Sequence, residues 1–121
     1  MTENQFNEIV AWQKQTFPKA TSLSKVFHLE KEVFELRNDL IDKNTDRRLE
    51  YADCFLLLFG SAASDGMSFQ DICNAIDEKM QINRERKWGN ADENGVVHHI
   101  EEEKQSRPSK LNYDPFNHWM L

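Results

Sequence analysis

Apolar residues recur three and four positions apart along most of the first 88 positions, the spacing of one face of an α-helix. Phe6, Ile9 and Val10 begin the pattern, and Pro18 ends it because proline cannot continue the backbone ladder. A first helix is therefore predicted over about residues 2–16. Thr21-Ser22-Leu23-Ser24 supplies N-cap candidates for a second helix. In it Val26, Leu29, Val33, Leu36 and Leu40 form one apolar stripe. A third segment opens near Asn44-Thr45-Asp46 and runs to Gly66. Its run Cys54-Phe55-Leu56-Leu57-Leu58-Phe59 fits a buried strand or a buried helix by period alone. The flanking Ala52, Ala62 and Ala63, and the absence of β-branched residues, favour helix. A helix apolar on nearly every side belongs at the centre of a fold or at a subunit interface.

The fourth helix is announced by Ser68-Phe69-Gln70-Asp71, a capping box with Asp in the usual Glu position. Ile72, Ile76 and Met80 carry it to Trp88, and Gly89 is a fitting stop. Beyond residue 90 the pattern is lost. Asn94-Gly95 signals a turn, Glu101-Glu102-Glu103-Lys104 is a charge run, and Pro108 and Pro115 interrupt regular structure. An irregular segment is expected from about 90 onward. Its apolar end, Phe116 to Leu121, is suited to docking, a neighbouring subunit being one candidate surface. The fold class is all-α: one domain of about four helices over residues 1–100, with a C-terminal tail at 101–121.

Composition narrows the class of function. The 121 residues suit one domain. No apolar run approaches the ~20 residues needed to span a bilayer. The first residues lack the basic and apolar regions of a secretion signal. Cys54 and Cys73 fall inside helical patterns and read as core thiols rather than a disulfide. A cytoplasmic protein is expected. A net charge of −6 argues against a broad basic surface for nucleic acid, so no nucleic-acid partner and no membrane are expected. An acidic protein can still bind phosphates through bound cations or a compact Lys/Arg cluster.

Glu32 and Glu35 are three apart and share a helix face. The same polar stripe takes in His28 and Asp39. Glu50 and Asp53 repeat the spacing on the third helix, just before its apolar run. Like charges three apart destabilise a bare helix by about 0.2–0.5 kcal/mol, and opposing two such pairs adds to the cost. A divalent cation removes it, since carboxylate oxygens are the ligands hard Mg²⁺ prefers and facing helices can present four of them. A solvated acidic face is the alternative reading. Lys79, Asn83 and Arg86 share a face of the fourth helix, with Arg84 and Lys87 near. Lys and Arg suit phosphate oxygens, and Asn suits a sugar hydroxyl or base edge. The alternative is an ordinary basic helix end.

Glu32-x-x-Glu35, fourteen residues, then Glu50-x-x-Asp53 resembles the signature of the MazG-like all-α NTP pyrophosphatases. Trp12-Gln13 with Phe17-Pro18, the run His28 to Glu32, Glu50 to Asp53, Lys79 to Gly89 and Glu93 to His99 look like the dATP/dGTP diphosphohydrolase branch, known also from phages. The resemblance covers about residues 6–100. It implies a MazG-like helical bundle and a Mg²⁺- or Mn²⁺-dependent cleavage of a dNTP to dNMP and pyrophosphate, with two or more ions per site. It also implies a homodimer or homotetramer. Glu32, Glu35, Glu50 and Asp53 would be metal ligands, with Glu32 or Glu35 accepting the water's proton. Lys79 and Arg86 would hold the triphosphate, and Asn83 the phosphate or sugar.

His28 would touch the substrate or, better, hydrogen-bond Glu32. Trp12, Phe17 and Trp88 either stack a base or pack the core. His98 and His99 are adjacent, point apart, and read as structural or exposed. A pyrimidine-directed enzyme acting on dUTP or dCTP shares the same metal motifs, and a catalytically idle nucleotide- or partner-binding helical protein is the remaining alternative.

Overall fold

The computed structural model describes residues 1–43 and 46–100. Its helices are α1 (Glu3–Thr16), α2 (Ser22–Ile41), α3 (Arg48–Ser64) and α4 (Phe69–Glu85). The chain divides into two compact units, Met1–Ala75 and Ile76–Leu121. No strand occurs among the described residues, only one isolated bridge, and none of these helices is long and apolar enough to cross a membrane.

Local chemistry sets most of the helix ends. Thr2 caps α1 by accepting the Gln5 N–H at 3.1 Å. Thr21 and Ser24 form a reciprocal capping box at α2, each side chain accepting the other's backbone N–H, at 3.0 and 2.8 Å. Arg47 gives α3 no side-chain cap; Asp46 accepts the Arg48 N–H instead and chelates its guanidinium. Ser68 and Asp71 form the expected capping box at α4, with bonds of 2.9 and 3.1 Å.

In the first unit α3 packs along α2 and against α1. Ser61 Oγ donates to Ser22 O at 2.9 Å, and Lys25 Nζ reaches Gly60 O and Ser64 Oγ. The start of α2 thus meets the end of α3, so the two helices run antiparallel. Phe6 is the centre of a small core, with Phe59 edge-on at 6.2 Å and Phe69 at 5.6 Å. Among the described residues only Phe6 and Ile72 are buried hydrophobic side chains. The apolar α3 is therefore not enclosed: Tyr51, Phe55 and Leu58, at helical spacing, are 44%, 56% and 52% exposed. Cys54 and Cys73, expected in the core, are only half-buried, and both are free thiols.

The second unit corrects the expectation for the fourth helix. α4 stops at Glu85, not Trp88. The chain beyond it pairs with residues further on: Gly89 N–H donates to His98 O at 2.9 Å, Ile100 N–H to Lys87 O at 2.7 Å, and Trp88 bridges His99. Asp92 closes the intervening turn, its Oδ1 accepting the Asn94 and Val96 N–H groups, while Gly95 takes a positive φ of 80° that favours glycine. Residues 90–100 are thus the return arm of an ordered turn, not a formless tail. The predicted docking of Phe116 to Leu121 lies outside the described residues.

Candidate active site

α2 carries the first carboxylates because its polar stripe runs one turn away from its apolar stripe. Glu32 is partly shielded, its side chain 18% exposed, whereas Glu35 and Asp53 are exposed. Burial pushes its carboxyl above the ordinary glutamate range. The charges of Glu35 and of Asp53 on α3, and a hydrogen bond with Glu35, push the same way, and His28 pulls slightly back. Cys54, beside Asp53, feels the same field: burial first, then Glu32 and Asp53, raise its thiol pKa. The antiparallel register that sets Lys25 against Gly60 also sets Glu32 level with Asp53. Continued by one turn, it sets Glu50 level with Glu35.

Three of the four predicted carboxylates thus meet electrostatically around Glu32, while Glu50 does not figure among the groups that raise it. Among the described residues no group of three or more His, Cys, Asp or Glu side chains is placed so that it could hold a metal ion. The four acids stand on two facing helices, and Glu32 is repelled by Glu35 and Asp53. His28 Nε2 lies 3.3 Å from Glu32 Oε1, one turn along α2.

A cavity of about 320 Å³ is lined by Glu32 and Asp53 together with His28, Lys25, Trp12 and Phe17. Trp12 and Phe17 meet edge to face at 5.5 Å and are 56% and 51% exposed, so they wall the cavity instead of packing a core. Gln13 is buried and fixes α1 to α3, its Nε2 donating to Leu56 O at 2.9 Å. Its Oε1 lies against Gly60 with no hydrogen-bond partner.

Lys79, Asn83 and Arg86 belong to the second unit. Lys79 and Asn83 share a face of α4, but Arg86 lies just past its end, its N–H reaching Asn83 O at 3.4 Å. Trp88 is engaged locally: Nε1 donates to Asn83 O at 2.9 Å and the ring meets His99 edge-on. His98 is exposed and lies 3.6 Å from Asp92.

Sequence reasoning missed Gln13, Lys25 and Ser64. Lys25 was within reach, because it continues the stripe of Glu32 and His28 by one more turn. What hid it was that a lysine on a polar stripe ordinarily points into water.

No curated protein matches the chain significantly. Among solved structures, the Cyanophage S-2L MazG-like pyrophosphohydrolase, bound to dGDP and three catalytic Mn²⁺ ions per active site, is similar at 30% identity with a TM-score of 0.67. The alignment covers 84% of this chain and 99% of that one. The sequence profile of the dATP/dGTP pyrophosphohydrolases matches residues 5–106. With most of its length matched and its facing carboxylates on two antiparallel helices, the chain belongs to the dATP/dGTP pyrophosphohydrolase family.

Proposed function

We propose that this nucleoside triphosphate pyrophosphohydrolase cleaves dATP or dGTP between the α- and β-phosphates, releasing dNMP and pyrophosphate, with divalent cations held by Glu32, Glu35, Glu50 and Asp53. One observation carries the reading: Glu32, largely shielded from water and close to like-charged Glu35 and Asp53, lines a cavity of nucleotide size. The donor set fits hard cations, since it offers carboxylate oxygens alone and its repulsion is relieved by positive charge. When bound, the cations neutralise phosphate oxygens and acidify a water. The S-2L enzyme's three Mn²⁺ ions support two or more ions, Mn²⁺ or Mg²⁺, in this chain.

The chain's own groups do the rest. Glu32 accepts the proton of the attacking water, and His28 holds its carboxylate in place from the solvent side. In the metal-free protein Glu35 and Asp53 raise the proton affinity of Glu32, and bound cations would offset that repulsion. For Lys79, Arg86 and Asn83 the proposal rests on residue type and spacing, which suit phosphate oxygens and a sugar hydroxyl. Trp12 offers a stacking surface at the cavity wall.

The pyrimidine-directed alternative and the idle binder are not favoured, because the matched family is that of purine deoxynucleotide hydrolases. A panel of dNTPs with Mg²⁺ or Mn²⁺, read by dNMP and pyrophosphate release, tests the reading. Faster hydrolysis of dUTP or dCTP than of dATP and dGTP would overturn the purine assignment. Unchanged release by Glu50→Gln would overturn the ligand set.

The same proposal includes a homodimer or homotetramer, working in the cytoplasm where its substrates are. The exposed Tyr51, Phe55 and Leu58 stripe on α3 supports assembly, because so small a chain with few buried apolar side chains gains stability by covering such a face. Light scattering at micromolar concentration should give at least twice the 14.3 kDa chain mass.

A further inference from the structure

One charge that the phosphate chemistry does not need lines the cavity. Lys25 is the one Lys or Arg lining it, and the residue is only 8% exposed. Its Nζ donates to Ser64 Oγ at 2.7 Å and to Gly60 O at 3.4 Å, both neutral acceptors. No carboxylate pairs with it among the described residues. An ammonium has three donors, so one is left over. Burial, and secondarily the charge of Lys14, lower its pKa, which marks an ammonium short of favourable partners. A buried lysine without a counter-charge is rare enough to require a reason.

Position supplies one. Lys25, His28 and Glu32 follow at i, i+3 and i+7 on α2, so they share a face of the helix. At a rise of about 1.5 Å per residue, Lys25 lies about 10 Å along the helix from Glu32. That separation is comparable to the reach of a nucleotide from its first phosphate to the far edge of its base. The exposed rings of Trp12 and Phe17 line the same cavity, where a flat aromatic ligand would cover them.

The two purines differ at the edge a lysine would meet. Guanine presents two acceptors, O6 and N7, whereas adenine presents N7 beside an amino group. An ammonium can only donate. We propose that Lys25 is the base-reading residue, donating to the O6 edge of a guanine held against Trp12 and Phe17, so that the site prefers 6-oxopurine deoxynucleotides to adenine ones. This rests on the reading of Glu32 and Asp53 as the phosphate end of the site.

The test is equilibrium titration of dGDP, dIDP and dADP into the full-length protein with Mn²⁺ present, alongside dGTP hydrolysis. dIDP carries O6 but lacks the guanine 2-amino group, so it isolates the contact. The wild type should bind dGDP and dIDP alike and dADP more weakly. Lys25→Met should lower the dGDP-to-dADP affinity ratio on the order of 10- to 100-fold, the value of a good base-edge contact. Lys25→Gln, whose amide both donates and accepts, should shift the ratio further toward adenine, which a purely structural lysine would not do. Either variant is informative if the other fails to fold. The proposal is overturned if dIDP binds like dADP, or if both variants weaken all three ligands equally. Base-selective binding without dGTP hydrolysis would instead overturn the reaction and leave the base reading standing.

Discussion

Replacing Glu32 by Gln keeps the shape of the side chain and takes one negative charge out of the acidic cluster. Without metal this should stabilise the fold. Glu32 faces like charges at Glu35 and Asp53, each pair worth about 0.2–0.5 kcal/mol of repulsion by analogy with helix pairs. Relief of both, less the weak attraction from His28, comes to about 0.5 kcal/mol. For a chain of this size that corresponds to a melting temperature higher by roughly 2 °C. The pH dependence follows from the direction of the shift. The folded-state pKa lies above the unfolded value near 4.5, so the folded chain binds more protons between the two and stability falls as pH rises through that window. The gap between variant and wild type should therefore be near zero at pH 4 and open by pH 7.

Cations should reverse the order. A ligand at 100 times its Kd adds about 2.7 kcal/mol to the state that binds it. The wild type should collect this gain in Mn²⁺ and the variant much less, while dGTP hydrolysis falls at least about 100-fold in the variant. Thermal melts at fixed protein concentration, in EDTA and in Mn²⁺, from pH 4 to pH 8, measure all of it. A variant that melts below the wild type at pH 7 in EDTA, or that gains as much from Mn²⁺, refutes the electrostatic account.

Gly60→Ala would drive its new Cβ into the Gln13 amide, 2.8 Å from Cδ, and cost about 1–3 kcal/mol in chemical denaturation; adding Gln13→Ala should recover most of that loss. Ser68→Ala removes the acceptor for the Asp71 N–H and should cost about 1 kcal/mol, as helix caps do. Asp71 is held below the usual carboxylate range by the Ser68 backbone N–H and then by its hydroxyl, so its contribution exists above pH 3.8 and is lost as pH falls through the depressed value. The melting gap between Ser68→Ala and wild type should narrow below that pH. Leu58→Asp puts a charge into the exposed α3 stripe and should convert the proposed homo-oligomer to monomer in light scattering, with a lower melting temperature. An unchanged mass would remove that stripe from the interface.

Much of this protein was legible in its residues taken in order. The capping boxes Thr21–Ser24 and Ser68–Asp71 and the stop at Pro18 locate helix ends, because capping is settled within three or four residues. The i, i+3 acids name the cluster for the same reason. The end of α4 was not legible: Trp88 and Gly89 leave the helix to pair with His98 and His99, ten residues on, and local propensity does not register that competition.

Nor did the stripe on α2 disclose that Lys25 is buried while His28, one turn away, is exposed. That difference is made by Ser64 and Gly60 on α3, 39 and 35 positions along the chain. Gln13 owes its place to the missing side chain at Gly60 in the same way. Helices follow from hydrogen bonds four residues apart and are written locally. Which polar groups are taken out of water, and which charges then have to face one another, depends on the distant segment that packs against them, and only the tertiary structure decides it.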